Sequence, residues 1–337
     1  MKGFSPFVWI RFSSKMKRLS PVFLFLLFFA VTPVSANGDD AQSGDKTVGF
    51  TPTEQMEKLT RGVVALPSES GGIFVSWRML GTDPLNTTFD LLRNGQTIAE
   101  NLGNKTNYTD AQGNSQSQYT VVVKVGGKET ERTEAVTPWT DIFLNIRLDR
   151  PAGGVYPWRD RTYDENGKIT GWTAYYDKYY GYYPQECSVG DVDGDGVYEL
   201  FIKWTPSNQQ DNSQGFGRTG NVYLDCYRMD GTKLWRIDLG VNIRAGSHYT
   251  QFMVYDFDGD GKAEMICKTA PGSVDGAGNY VSQAADETAV RQADNTANYQ
   301  TEDGRISGGQ EYLTVFNGLT GKAIHTVPYN PNRRQED

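Results

Sequence analysis

"DVDGDGVYELFIKW", residues Asp191 to Trp204, sets an acidic, glycine-hinged loop directly before a strand-like run, and "DFDGDGKAEMICKT", Asp256 to Thr269, repeats the device. Three aspartates at alternate positions, with a glycine between the second and third, can wrap their carboxylates around one hard cation while the chain reverses sharply. Calcium suits such a set because it takes six to eight oxygens in irregular geometry. The first ligand set is Asp191, Asp193, Asp195, the carbonyl of Val197 and Glu199; the second is Asp256, Asp258, Asp260, the carbonyl of Lys262 and Glu264. An EF-hand would place a bidentate Glu at the twelfth position, where this chain has Ile202 and Cys267, and helices on both sides, where it has glycine-rich turns and strands. That reading is excluded. Without a cation the clustered carboxylates would repel one another. Ca2+ is therefore expected as the cofactor, in the structural role of stapling each turn. A catalytic metal would need an open coordination position, which nothing in the spacing supplies.

Outward from the loops, each acidic turn and strand is followed by an insertion and then a hairpin: "LDCYRMDGTKLWRIDL" after the first, "LTVFNGLTGKAIHTV" after the second. A unit of several strands repeated at this period predicts propeller blades or another radial β-array, assigned to residues 139–337. The long polar stretch from Gly272 to Gly309 is expected to run as a surface loop. Residues 56–138 alternate differently. "GGIFVSWRML" carries Ile73, Val75 and Trp77 on one face, and Asn94-Gly95 and Gly126-Gly127 mark hairpin turns. A compact β-sandwich that resembles a fibronectin type III module fits this pattern, with Trp77 in its core and Tyr119 opening a late strand. The expected fold class is all-β throughout.

The first residues, 1–36, read as an export signal. Lys15 to Arg18 precede the apolar run "PVFLFLLFFAV", Val34-Ser35-Ala36 supplies a small-residue cleavage pattern, and Met16 is an alternative start. The run is too short for a good membrane span, so a secreted protein with no span after cleavage is expected. Residues 37–55 read as a flexible polar leader. With 33 basic against 41 acidic residues, the net charge of −8 argues against nucleic acid as partner. A polyanionic substrate would be repelled too unless a cation intervened. Cys187, Cys226 and Cys267 each sit in strand-like surroundings, and the odd count without a CxxC pair points to small core residues and not to a disulfide framework or a zinc site.

The stretches "SVGDVDGDGVYELFIKW", "DNSQGFGRTGNVYLDCYRMDGTKLWRIDLGVNIRAGSHYTQFMVYDFDGDGKAEMICKTAPGSVDG" and "EYLTVFNGLTGKAI", with "RGVVALPSESGGIFVSWRMLGTD" and "RLDRPAGG" before them, resemble in colinear order the rhamnogalacturonan lyases of polysaccharide lyase family 11. The resemblance implies a secreted enzyme with an N-terminal β-domain and an eight-bladed propeller. It also implies several bound calcium ions and β-elimination along the rhamnogalacturonan I backbone of pectin. That reaction neutralises a uronate carboxylate and removes the proton α to it. Lys203, Arg244 and His248, the positive or titratable groups beside the loops, are substrate candidates, each with a structural reading beside it. The tyrosines from Tyr175 to Tyr183 either stack on sugar or pack between blades. Where the family reads Asn-Asp before the first loop this chain has Gln185-Glu186, and Thr205 stands where the family has an aspartate of the sugar cleft. Gln185 and Thr205 complete the candidate set. The family's later motifs, with its catalytic lysine and tyrosine, have no counterpart here, so catalytic residues are unassigned. Residues 139–337 hold about three blades, and the expectation is the N-terminal portion of a longer lyase, incomplete as it stands. A non-catalytic calcium-dependent polysaccharide-binding or adhesion module is the alternative.

Overall fold

Alternating apolar residues and paired positive-φ turns build the first part of the structure, a computed structural model that describes residues 58–213 and 217–332. The expected export signal and the polar leader lie outside the described residues. Seven strands come first: β1 (Val64–Pro67), β2 (Ile73–Ser76), β3 (Thr87–Arg93), β4 (Gln96–Leu102), β5 (Asn107–Asp110), β6 (Tyr119–Val125) and β7 (Lys128–Arg132). They pair antiparallel in two sheets, β1-β2-β5 and β4-β3-β6-β7. Asn94 and Gly95 both take positive φ (50° and 79°), as do Gly126 and Gly127 (58° and 80°), the signature of two-residue primed turns whose twist suits the flanking strands. Ala65, Ile73, Val75, Trp77, Phe89 and Val121 meet between the sheets, as the alternation predicts. Tyr119 is fully buried there, donates its hydroxyl to Asp110 (2.8 Å), and has its phenol pushed up to about 12 chiefly by burial.

Two nested hairpins follow. β8 (Gly154–Trp158) pairs with β11 (Tyr176–Tyr180), and between them β9 (Arg161–Tyr163) pairs with β10 (Ile169–Trp172). Next come two four-stranded antiparallel sheets in strictly sequential order. The first comprises β12 (Tyr182–Gly190), β13 (Glu199–Pro206), β14 (Tyr223–Tyr227) and β15 (Lys233–Asp238); the second comprises β16 (Phe252–Tyr255), β17 (Glu264–Thr269), β18 (Tyr312–Asn317) and β19 (Ala323–Pro328). All eight residues of β13 are buried, so its apolar residues do not alternate with exposed ones, and Glu199, Lys203 and Thr205 are buried among them. Phe201, Leu224 and Trp235 from the first sheet meet Met265, Tyr312 and Phe316 from the second in one core, and Trp235 donates its Nε1–H to the Gly318 carbonyl (2.7 Å). The opening strands β12 and β16 lie against one another.

Two expectations are corrected. The stretch from Gly272 to Gly309 is no simple surface loop: a 3-10 turn (Val281–Ala284) and a single helical turn, α1 (Thr288–Arg291), plug Val281, Ala285 and Val290 into the core. Thr326 of β19 fixes the plug by donating to the Val281 carbonyl (2.8 Å). These few apolar residues are diluted among polar ones and follow no strand or helix period. Cys226 and Cys267 are buried, but Cys187 is exposed because β12 turns alternate residues outward; all three are free thiols. No helix among the described residues is long and apolar enough to cross a membrane.

Candidate functional site

Each acidic loop joins the first strand of its sheet to the second, and the two are wired alike. Asp191 accepts the amides of Gly194 (2.7 Å) and Gly196 (2.8 Å), and Glu199 accepts that of Val192 (3.1 Å). Asp256 accepts Gly259 (2.7 Å) and Gly261 (2.9 Å), and Glu264 accepts Phe257 (3.0 Å). The amides of Val197 and Lys262 are pinned by Asp195 (2.7 Å) and Asp260 (2.8 Å). Gly194, Gly196, Gly259 and Gly261 all take positive φ, which lets the chain reverse this tightly. The loops are neighbours, with the Ala263 amide donating to the Asp191 carbonyl (2.7 Å).

Carboxylate oxygens of Asp191, Asp193 and Glu199 lie within 4.8 Å of one another, as do those of Asp256, Asp258 and Asp260. Burial, followed by the charges of Asp193 and Asp195, lifts the Glu199 carboxyl above its ordinary value, and burial with its three aspartates does the same for Glu264. In the first loop Arg228 takes one oxygen of Asp193 (2.8 Å), while Asp193 Oδ1 is buried with no hydrogen-bond partner. An orphaned, buried carboxylate oxygen inside an all-oxygen cluster is what a hard cation would satisfy. The residues present fit calcium on that ground.

The substrate candidates gather at the other end of the same strands. Thr205 lies six positions beyond Glu199 along β13, about 20 Å of extended chain. Gln185 occupies a register shift in β12 and accepts the Thr205 hydroxyl (2.6 Å). Lys203 is fully buried, bound to Glu186 (2.6 Å) and to the Tyr249 carbonyl (3.2 Å). Arg244, also buried, donates to the carbonyls of Gln210 (2.8 Å) and Asp303 (3.1 Å). His248 is exposed, with Nδ1 2.5 Å from Asp211, and the ring holds that carboxyl below its usual range. Of the five, Gln185, Thr205 and Lys203 are brought together through β12 and β13, whereas Arg244 and His248 reach the same end through the segment after β15.

Sequence reasoning missed several residues there. Asp211 and Glu186 orient two of the candidates. Thr250 combines a positive φ of 60° with a buried hydroxyl lacking a partner, strain of the kind that clusters at functional sites. A cleft of about 310 Å³, lined by Trp158, Arg159, Trp172 and Tyr175 against residues 301–303, adjoins one of about 560 Å³ that shares Trp158, Arg159 and Trp172 and adds Arg161 and Arg305. The run Trp158-Arg159-Asp160-Arg161, an aromatic followed by two arginines around an aspartate, was the available signal.

A family model described as rhamnogalacturonan lyase family 11, C-terminal domain, matches residues 168–336, and one described as rhamnogalacturonan I lyases beta-sheet domain matches residues 54–139. The rhamnogalacturonan endolyase YesW of Bacillus subtilis (strain 168) is 44% identical over 310 residues, covering 92% of this chain and 43% of the relative. The rhamnogalacturonan exolyase YesX of the same organism is 46% identical over 280 residues, covering 83% of this chain and 41% of the relative. The crystal structure of exotype YesX superposes with a TM-score of 0.68 at 45% identity, covering 82% of this chain and 41% of that one. This chain thus spans less than half the length of the curated relatives it matches.

Proposed function

The chain belongs to rhamnogalacturonan lyase family 11, and on that premise we propose that it serves the depolymerisation of rhamnogalacturonan I, a pectic polysaccharide, by β-elimination. The observation that carries the proposal is the pair of family matches, one to each β-region in the right order, with lyase relatives of 44% and 46% identity spanning both. A non-catalytic binding module is not favoured by these matches.

The three-plus-four strand pairing of β1 to β7 supports the fibronectin type III-like reading of residues 56–138. The sequential four-stranded sheets, in contact through their opening strands, support reading residues 139–337 as propeller blades. Calcium would be held by Asp191, Asp193 and Glu199 in one loop and by Asp256, Asp258 and Asp260 in the other, with Asp195, Glu264 and the carbonyls of Val197 and Lys262 as further ligands. When bound, it neutralises the carboxylates that close each turn. Its distance along β13 from Thr205 fits a structural role. We propose secretion as well, supported by the signal-like residues 1–36.

Elimination at a uronate needs its carboxylate gripped and the α-proton accepted. Lys203 and Arg244 are spent on Glu186 and on backbone carbonyls, so they shape the walls of the site. Gln185 and Thr205, hydrogen-bonded to each other, present an amide and a hydroxyl to sugar hydroxyls. His248 is the exposed candidate. With Nδ1 donating to Asp211, the neutral ring keeps Nε2 as its acceptor, able to take a hydrogen bond or a proton.

The test is incubation of the chain with rhamnogalacturonan I and calcium while following the ultraviolet absorbance of the unsaturated uronate product and, separately, retention of the polymer. Retention with or without product supports the assignment to this polysaccharide, and product shows that these residues suffice for elimination. Neither retention nor product would sink the proposal.

A further inference from the structure

Of the nested hairpins, β8 and β9 lie between the two family matches, which end at residue 139 and resume at 168, and β10 and β11 lie within the second. The hairpins carry an unusual density of exposed rings: Tyr163, Tyr175, Tyr176 and Tyr179 are 57%, 54%, 44% and 80% exposed. Exposed aromatic rings this close together are candidates for an interaction surface.

The rings are interleaved with guanidinium groups. Arg159 lies 4.9 Å from the centroids of both Trp172 and Tyr175, and Arg161 lies 5.4 Å from that of Trp172. A guanidinium stacked by its face on a ring keeps its N–H edge for planar anions, above all carboxylates, which it meets two bonds at a time. The stacking also holds both partners in place before a ligand arrives, which lowers the ordering cost of binding. Across the cleft, Glu302 already plays the anion. It pairs with Arg159 at 3.3 Å, is 78% exposed, and sits on the facing loop. An ion pair this exposed contributes little and is readily exchanged for another carboxylate.

We infer that this cleft is a binding subsite for an anionic stretch of glycan: Arg159 takes the carboxylate of a uronate residue, displacing Glu302, while an adjacent sugar lays its apolar face on Tyr175. The identity of the glycan rests on the reading under Proposed function; the location and the carboxylate exchange rest on the cleft itself. Charge in the cleft is balanced, with Asp160, Glu302 and Asp303 beside Arg159, Arg161 and Arg305. The ligand's carboxylate takes the place of Glu302 at Arg159, and the Glu302 side chain, already 78% exposed, turns to solvent.

The experiment is calorimetric titration of the chain with a hexasaccharide of alternating rhamnose and galacturonate, and with the same hexasaccharide after carboxyl reduction. Arg159→Ala weakens binding of the acidic hexasaccharide about tenfold, the worth of one charged hydrogen-bonding group. Glu302→Gln strengthens it several-fold, because the competing anion is gone. Tyr175→Ala weakens it and Tyr175→Phe does not. The carboxyl-reduced hexasaccharide binds more weakly and is indifferent to Glu302→Gln. Unchanged affinity in all variants, with the parent chain binding normally, overturns the subsite and leaves the proposed function standing. A loss in Arg159→Ala without the gain in Glu302→Gln signals structural damage and overturns it too. If the parent chain binds neither hexasaccharide, the subsite falls together with the proposed substrate.

Discussion

Asp225 is fully buried at the centre of β14 and receives Trp204 Nε1 (2.8 Å), the Tyr227 hydroxyl (2.6 Å) and the Nε and Nη2 of Arg236 (2.7 and 2.6 Å). Both buried carboxylate oxygens are thus bonded, Oδ2 by three donors and Oδ1 by one, yet the arrangement is vulnerable, since removing one partner strands the others. Asp225→Ala is expected to cost about 3–5 kcal/mol, measured as a shift in the urea unfolding midpoint. A milder loss is expected at Thr205→Val, which leaves Gln185 Oε1 without its donor: about 1 kcal/mol, by the same measurement. Neither relationship was legible in the sequence. An aspartate in an alternating hairpin reads as an outward residue, and Gln185 and Thr205 look like independent departures until a register shift in β12 places them face to face. By contrast, Trp77 and Val75 were legible because strand alternation alone fixes their side.

At the scale of single elements the acidic loops were the most readable part of the chain, since glycine at the positive-φ positions and aspartate between them leave little choice of conformation. If they hold calcium, raising the free ion to a hundredfold excess over Kd stabilises the protein by about 2.7 kcal/mol per site. Calorimetric melting in calcium against a chelator checks this. Asp193→Ala should remove the first loop's share, and no difference between the two conditions would count against the metal. Gly196 carries a second constraint. Besides its φ of 83°, a Cβ there would stand 2.9 Å from the Thr60 amide nitrogen. Gly196→Ala is therefore expected to destabilise by more than about 1 kcal/mol, read from its melting temperature. The plug from residue 272 to 309 was not readable for the opposite reason. Its buried residues are held by tertiary contacts such as Thr326 to Val281, with no local period to announce them.

For the molecule as a whole, the all-β class, the two β-regions and the strand order of each repeat were visible from hydrophobic period and turn residues. The gathering of candidate residues at one end of the strands was not, because it depends on how successive sheets are set side by side. Response to acid also belongs to this scale. Arg61, almost completely buried, grips Asp83 (2.6 and 2.8 Å) and Glu131 (2.9 and 2.7 Å), and the Arg61 hydrogen bonds hold the Asp83 carboxyl below its ordinary value. The unfolded chain then takes up that proton first as pH falls. The contribution of Asp83 is complete above its unfolded value of about 3.9 and is lost as pH drops through the lower folded value. Urea midpoints recorded from pH 7 downward should decline below about pH 4, and Asp83→Asn should flatten that part of the decline while lowering stability at neutral pH.

Thr60 reaches the Gly196 carbonyl through both its amide (3.1 Å) and its hydroxyl (3.0 Å), and Arg78 covers the ring of Tyr198 at 4.7 Å. Those partners are separated by more than a hundred residues of chain. On a ribosome the sandwich can collapse on its own apolar face as it emerges, with Arg61 and Arg78 holding its amino-terminal margin, but the bonds from Thr60 to Gly196 wait until the first acidic loop has been synthesised. Contacts this distant in sequence slow folding, so the acidic loop also acts as a late clasp on the first margin of the sandwich.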